Sequence, residues 1–245
     1  MKRLPGDAGL IVPDDFDVPA FVSVAKVAAA YSQTHAATHR SFAAAWNGLS
    51  HRYRAADELN QDFVAAMAAG DGPPMEDRHR QEHALFAFAS TALSSLECLC
   101  FGAYCLGALG HAAAFSISHE RDLRFYPADV ERAFAQSFPT AKLTGSLSSL
   151  LAASEFKDLT DLRNVLSHRG TLPRSFFLSV GGGPAAKTGA YVPSNPKSLS
   201  SDWVFDRAVD KRLTQSLRDW LGVSLADLLP ATSDFADSYL KKTTV

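Results

Sequence analysis

The chain has 245 residues, 47% of them hydrophobic, and this length is enough to bury a substantial core in one large domain or two small ones. Its formal net charge of −2 excludes a global attraction for nucleic acid, so any such binding must come from a local basic patch. Alanine is very frequent, valine and isoleucine are sparse, and long helical patterns dominate, which favours an all-α fold.

The three cysteines, Cys98, Cys100 and Cys105, lie close together in one apolar run. Because their number is odd and their surroundings are apolar, we interpret them as small core residues in a reducing compartment, and not as disulfides or a zinc site. The first residues of the sequence lack the apolar stretch of a signal peptide. We therefore expect a soluble, cytoplasmic protein.

The first part of the chain has a helical pattern after a short start that we expect to be irregular. Residues 1–15 are rich in proline, glycine and aspartate. From Val18 to about Ala69 the spacing predicts helix, and Gly48 leaves open whether this is one helix or two. One apolar face consists of Phe21, Val24, Val27, Ala28 and Tyr31. A turn is predicted at residues 70–74.

A second long helix is predicted from Met75 to about Leu109. After charged first turns it is apolar or small on every side from Ala84 onward, and Glu97 is its only formal charge there. A helix that is apolar all round is either the central helix of a bundle or a membrane span. We favour the bundle and expect no membrane association, because several polar side chains would lie in mid-membrane and no aromatic belt frames the segment. These polar residues are Ser90, Thr91, Ser94, Ser95 and Glu97.

Shorter elements follow in the second half. Residues 110–124 are a predicted connection. A helix is predicted over 127–137, because it opens with a proline and Pro139 follows its end. Another helix is predicted over 140–154.

The region before the last helices differs in kind. A small β-hairpin or ordered loop is predicted near 170–201, where two short apolar runs flank a Gly-Gly-Gly-Pro break. Residues 202–221 predict an amphipathic helix, and we expect Gly222 and Pro230 to divide the C-terminal segment into shorter helices.

Within this chain, the stretch from Asp158 to Arg174 combines a cation, a titratable base and marked helix ends. Asp158 is the predicted N-cap, and Gly170 followed by Pro173 is typical of a helix C-terminus. Asp161 is the predicted capping-box partner of Asp158. An apolar stripe is formed by Leu159, Leu162 and Leu166.

The same helix places its polar groups away from the leucine stripe. At about 100° per residue, Asn164 and His168 share the opposite face, and Arg163 lies on the flank between the two faces. The arginine side chain is long enough to curl toward the histidine, so the pair forms a candidate catalytic site.

The segment from Arg163 to His168 reads Arg-Asn-Val-Leu-Ser-His and resembles the Arg-x4-6-His motif of the HEPN superfamily, in which a polar residue commonly follows the arginine. The resemblance covers about Met75 to Leu221. It implies an all-α bundle that dimerises and brings two motifs together across a cleft. Residues 1–70 are then an N-terminal helical extension packed on that core, within one domain.

Many proteins of this superfamily are metal-independent endoribonucleases, including toxins, anti-phage effectors and RNA-processing factors. The resemblance therefore implies RNA as substrate, a homodimer, and an antitoxin or regulatory partner, with no cofactor and no metal. His168 would be the base that removes the 2′-hydroxyl proton, and Arg163 would stabilise the phosphate charge. Asn164 would support His168 or contact substrate, and Arg169 and Arg174 would hold the RNA backbone.

One departure concerns a toxin branch in which a tyrosine two residues after the histidine is nucleotidylated by the antitoxin. Gly170 occupies that position here, which puts this mode of neutralisation in doubt.

Glu97 is a further candidate, because a carboxylate alone in an apolar helix is costly unless it is paired. Several HEPN families carry an acidic residue on a helix packed against the motif helix, so Glu97 can hold Arg163 or orient His168. The alternative is a buried glutamate bonded to a hydroxyl such as that of Ser94, with Arg163 paired to Asp161 or Glu155.

Two other functions compete with the ribonuclease. The first is a HEPN-like nucleotide-binding or scaffold protein whose motif is only structural. The second is a metal-dependent bundle enzyme, since histidines four residues apart occur twice and one follows a Glu-x-x-His pattern. These residues are His35, His39, Glu76, His79 and His83. A second Glu-x-x-His is missing from the sequence, which weakens the metal hypothesis.

Overall fold

A computed structural model describes residues 1–5, 9–68, 74–117, 125–168, 174–175, 189–193 and 205–240. The described chain is predominantly helical, which confirms the all-α prediction at the level of fold class. Its helices are α1 (Val18–Ala29), α2 (Ala36–Ala68), α3 (Pro74–Gly110), α4 (Pro127–Ser137), α5 (Lys142–Ala152), α6 (Ser154–His168) and α7 (Lys211–Phe235). A π-helical turn, Ala236–Leu240, follows α7 directly.

Helix α3 is the centre of the bundle. It packs along α2 and also contacts α4, α6, α7 and the π-helical turn. Leucines around its circumference are fully buried, as Leu85, Leu96 and Leu106 show. Within the described residues, Met75–Gly110 is the one helix whose length and composition would allow it to cross a bilayer, and 56% of its most apolar stretch is buried inside the bundle. The core helix of a soluble bundle meets the same criterion, so length and apolarity alone do not decide its environment.

The N-terminal helices share this core. Trp46 of α2 is buried, stacks on Phe21 of α1 with ring centroids 5.2 Å apart, and donates its indole N–H to the Phe21 carbonyl at 3.0 Å. Helix α2 continues through Gly48, and the break that the sequence left open lies between α1 and α2 instead. One glycine costs a helix only about 1 kcal/mol, which the burial of Trp46 and Leu49 beside it outweighs.

The extreme N-terminus corrects one prediction. Residues 1–15 are not wholly irregular, because β1 (Lys2–Arg3) and β2 (Ile11–Val12) pair as a short antiparallel hairpin. Leu4 and Val12 are fully buried in the same hydrophobic core as the helices. This burial, and not local propensity, explains why so short a hairpin forms.

The start of the motif helix was also predicted wrongly. Helix α6 begins at Ser154, so Asp158 lies inside the helix and is not its N-cap, and the predicted capping box with Asp161 is absent. Asp161 instead accepts a hydrogen bond from Lys157 at 2.7 Å, one turn earlier in the same helix. The predicted apolar stripe is confirmed for Leu159 and Leu162, which are buried.

Two short strands lie in the region 170–201, where a hairpin or ordered loop was predicted, and a third lies within 202–221, where a helix was predicted. Strands β3 (Arg174–Ser175), β4 (Gly189–Pro193) and β5 (Phe205–Val209) form an antiparallel sheet in that order. The helix predicted over 202–221 begins only at Lys211. Asp210 caps it, since its carboxylate accepts from the backbone N–H groups of Arg212 and Leu213 at 2.9 and 3.0 Å.

Helix α7 also runs unbroken through Gly222 and Pro230, so the predicted division of the C-terminal segment is wrong. A Cβ at Gly222 would lie 2.5 Å from an oxygen of Asp15 and 3.0 Å from the Tyr53 hydroxyl, so glycine permits close packing there. Around Pro230, the burial of Leu228, Leu229 and Ala231 stabilises the helix despite the missing N–H.

Candidate functional site

The candidate site is built where α6 packs on α3. Leu159, Leu162 and Val165 bury one face of α6, and this contact brings the neighbouring Arg163 over Glu97. The Arg163 Nη2 atom lies 3.5 Å from Oε1 of Glu97, with side-chain exposures of 31% and 37%. The partnership inferred from the lone charge in the apolar part of α3 is therefore present in the structure, although Glu97 is half-buried and still reached by solvent.

A second arginine, which the sequence interpretation missed, faces the same carboxylate. Burial raises the pKa of Glu97, while the positive charges of Arg163 and of Arg52 on α2 act in the opposite direction. Glu97 is thus influenced by cations from two different helices. Burial likewise raises the pKa of the adjacent Cys98 thiol, again against the opposing effect of Arg52.

Gly48 explains where the Arg52 side chain lies. A Cβ at Gly48 would be 2.5 Å from Nη1 of Arg52 and 3.1 Å from the Cys98 sulfur. The guanidinium therefore folds back by one turn of α2 and occupies the space that a side chain at position 48 would need. In the sequence, nothing local sets Arg52 apart from Arg54, so only the packing of α2 on α3 reveals this contact.

The alternative partners of Arg163 are engaged elsewhere. Asp161 bonds to Lys157, and Glu155 accepts from the Ser154 hydroxyl at 3.0 Å. Ser94 lies one turn of α3 before Glu97 and is half-buried. The contact across the helices to Glu97 is therefore the ion pair that the structure gives Arg163.

The other predicted site residues are only partly described. Asn164 is half-buried on α6, and His168 is the last residue of that helix, with its side chain outside the described residues. Arg174 lies in β3, and its side chain is also outside them, as are Arg169 and Gly170 altogether. Hence the structure brings Arg163 and Glu97 together, and the positions of the His168 ring and of the two basic side chains stay predictions.

The described histidines of the metal hypothesis make local contacts. The Nδ1 atom of His35 lies 3.0 Å from the Thr34 hydroxyl, and the rings of His79 and His83 stack 6.3 Å apart. Across the described ranges, no group of three or more histidine, cysteine, aspartate or glutamate side chains is placed to hold a metal ion.

A second charged cluster lies between α7, α2 and the N-terminal segment. Arg218 is only 8% exposed, donates to Asp57 at 2.6 Å and to Asp15 at 3.2 Å, and lies 5.1 Å from the centre of the Tyr53 ring. Its second contact with Asp15 is an ion pair through Nη1. Because one buried guanidinium is shared by two carboxylates, this cluster has no cation left for a ligand, and we interpret it as structural.

An open groove of 660 Å³ runs between α2 and α7, and Glu97 is not among its lining residues. It is lined by Val64, Lys211, Arg212, Gln215, Ser216, Asp219, Trp220 and Val223. None of the residues singled out from the sequence lines it.

Comparison of the chain with family models, with curated proteins and with solved structures found no match. Its function has to be inferred from the chemistry of the site. Two solvent-accessible guanidiniums beside one half-buried carboxylate can bind an anion, and arginine forks match the paired oxygens of a phosphate.

Proposed function

We propose that this chain is a metal-independent endoribonuclease of the HEPN type, in which Arg163 and His168 are the catalytic residues. The observation that carries the proposal is the ion pair between Arg163 and Glu97. It anchors the arginine of the motif to the central helix, with about a third of its side chain still exposed to a ligand. Preorganised donors of this kind stabilise charge that develops on a phosphate.

The proposed reaction needs no metal. His168 accepts the proton of the ribose 2′-hydroxyl, the 2′-oxygen forms a bond to phosphorus, and the bond from phosphorus to the 5′-oxygen breaks. The leaving 5′-oxygen takes up a proton from solvent, and the other product carries a 2′,3′-cyclic phosphate. Arg163 donates to the non-bridging phosphate oxygens, while Glu97 fixes its guanidinium and Asn164 supports the imidazole.

The remaining parts of the proposal follow the family resemblance. Arg169 and Arg174 hold the RNA backbone, and a homodimer places two motifs at one cleft. A toxin or anti-phage role in the cytoplasm, with an antitoxin or regulatory partner, fits this activity.

The test is cleavage of RNA by the purified protein in EDTA. We expect cleavage that His168→Ala and Arg163→Ala each abolish, and that His51→Ala, at an exposed histidine of α2, leaves intact. A 2′,3′-cyclic phosphate end identifies the chemistry. Cleavage that EDTA abolishes, or that survives His168→Ala unchanged, would refute the proposal.

The same ion pair favours a second candidate, a HEPN-like protein that binds nucleotides or serves as a scaffold without cleaving them. Pairing with Glu97 already uses part of the donor capacity of Arg163. This candidate predicts RNA or nucleotide binding that depends on Arg163, together with no cyclic phosphate product.

A further inference from the structure

Glu97 is acted on by one arginine from each of two helices that pack on α3. Arg163 reaches it from α6 at 3.5 Å, and the positive charge of Arg52, on α2, acts on the same carboxylate. A Cβ at Gly48 would lie 2.5 Å from Nη1 of Arg52 and 3.1 Å from the sulfur of Cys98, so the Arg52 guanidinium lies close to the immediate neighbour of Glu97 in α3. Three helices therefore converge on one patch of surface.

The charges at this patch do not balance. Two guanidiniums carry two positive charges and Glu97 carries at most one negative charge, so these three side chains together are cationic although the whole chain is slightly acidic. Arg52 is exposed and Arg163 is half-exposed, so an anion can reach both. A phosphodiester carries one negative charge and offers oxygens to both forks.

We infer that Arg52 is a second phosphate-binding residue of this site and holds the RNA backbone together with Arg163. The inference rests on the proposed function for the identity of the ligand, and it adds a residue outside the Arg-x4-6-His motif. Arg52 lies more than one hundred positions before the motif, and only the packing of α2 and α6 on α3 brings it there.

Gly48 allows the position of the guanidinium to be tested apart from its charge. The methyl group of Gly48→Ala would lie 2.5 Å from Nη1 of Arg52, so the side chain has to move while the arginine remains. Alanine has the higher helix propensity, and the sulfur of Cys98 at 3.1 Å has to shift only slightly. A loss of binding in this variant, with an unchanged unfolding midpoint, reports the displaced guanidinium.

The experiment measures binding of a fluorescent 2′-O-methyl oligoribonucleotide, which cannot be cleaved, by anisotropy over a series of salt concentrations. We expect Arg52→Gln to bind about tenfold more weakly, because a charge-assisted hydrogen bond is lost. The slope of log K against log salt should fall by about 0.7 for one lost contact with a single strand. Gly48→Ala should weaken binding in the same direction.

Arg54→Gln is the matched control, since it removes the same charge two residues away, where Arg54 already pairs with Glu58 at 2.8 Å. Equal affinities and slopes for Arg52→Gln and Arg54→Gln would overturn the inference, as would a wild-type protein that does not bind the oligonucleotide.

Cleavage of unmodified RNA in EDTA separates the two proposals. If the wild type cleaves RNA but Arg52→Gln has no specific effect on binding, the inference is refuted and the ribonuclease proposal is supported. Specific loss of binding in Arg52→Gln without any wild-type cleavage supports the phosphate site and refutes the ribonuclease.

Discussion

Replacing Arg218 by methionine should be among the most destabilising single changes to a charged side chain in this bundle. The guanidinium is 8% exposed and bonds to Asp57, which is 17% exposed, and to Asp15, which is 42% exposed. Methionine fills much of the same volume without the donors. The substitution therefore leaves two carboxylates without their cation, one of them largely buried.

The size of the effect follows from that burial. Removing one partner of a buried ion pair costs about 3–5 kcal/mol. Asp15 regains hydration more easily than Asp57, so we expect a loss near the lower end, about 3 kcal/mol. In a chain of this length, where 1 kcal/mol shifts the melting temperature by about 2–4 °C, this corresponds to a decrease of about 6–12 °C.

Urea denaturation followed by far-UV circular dichroism gives the free energy of unfolding. Arg132→Met is the control, because its ion pair with Asp129 is well exposed and should contribute less than about 1 kcal/mol. Adding Asp57→Asn to Arg218→Met should recover part of the loss, since the buried negative charge is removed. A loss below about 1 kcal/mol for Arg218→Met would show that solvent screens the cluster and would refute the reasoning.

Three further predictions concern protonation. Hydrogen bonds and the charge of Arg218 outweigh burial and hold the pKa of Asp15 below its ordinary value of 3.8. The ionised Asp15 therefore stabilises the fold above that pH, and this stabilisation is lost as pH falls below it. The difference in unfolding free energy between wild type and Asp15→Asn should shrink over the same fall in pH. Burial raises the pKa of Glu97 above its ordinary value of 4.5, so ionisation of Glu97 destabilises the folded protein as pH rises. In urea titrations, Glu97→Gln should therefore gain stability relative to wild type as pH rises through and above 4.5. Burial raises the pKa of Cys100 to about 12 and also raises that of Cys98, so Ellman's reagent at about pH 8 should label neither rapidly until the protein is unfolded. Rapid labelling of Cys100 in the native state would contradict its burial.

Local patterns predicted some helices almost to the residue. The helices expected over 75–109 and 127–137 are observed as Pro74–Gly110 and Pro127–Ser137. In the first, apolar residues continue without interruption, and in the second, prolines mark both ends. Signals carried by neighbouring residues were sufficient in both.

Predictions failed where distant contacts decide. Gly222 and Pro230 are local helix breakers, yet packing against the N-terminal segment and the core keeps α7 continuous. The short pairing of Lys2–Arg3 with Ile11–Val12 depends in the same way on the core in which Leu4 and Val12 are buried. Asp158 is an acceptable N-cap, but α6 begins four residues earlier, at Ser154, directly after α5.

In the candidate site, too, one residue was predictable from local sequence and another only from tertiary packing. Glu97 was found from the sequence because a lone carboxylate in an apolar helix requires a partner, and Arg163 was available in a motif. Arg52 was not found, since it lies in a charged stretch of α2 with Arg54, Asp57 and Glu58, where nothing local distinguishes one arginine from the next. Only the tertiary packing against Gly48 and Cys98 does so.

The contrast between Arg218 and the arginines at Glu97 shows why burial and charge balance, and not residue type, indicate a ligand site. Arg218 is almost fully enclosed and is bound by two carboxylates, so releasing its guanidinium to a ligand would leave both acids unpaired. Arg52 and Arg163 are open to solvent and outnumber Glu97. One phosphodiester charge would balance the charges of these three side chains. The exposure and the excess positive charge of these side chains therefore support the proposed phosphate site at α2, α3 and α6, whereas the enclosed Arg218 of α7 is already neutralised.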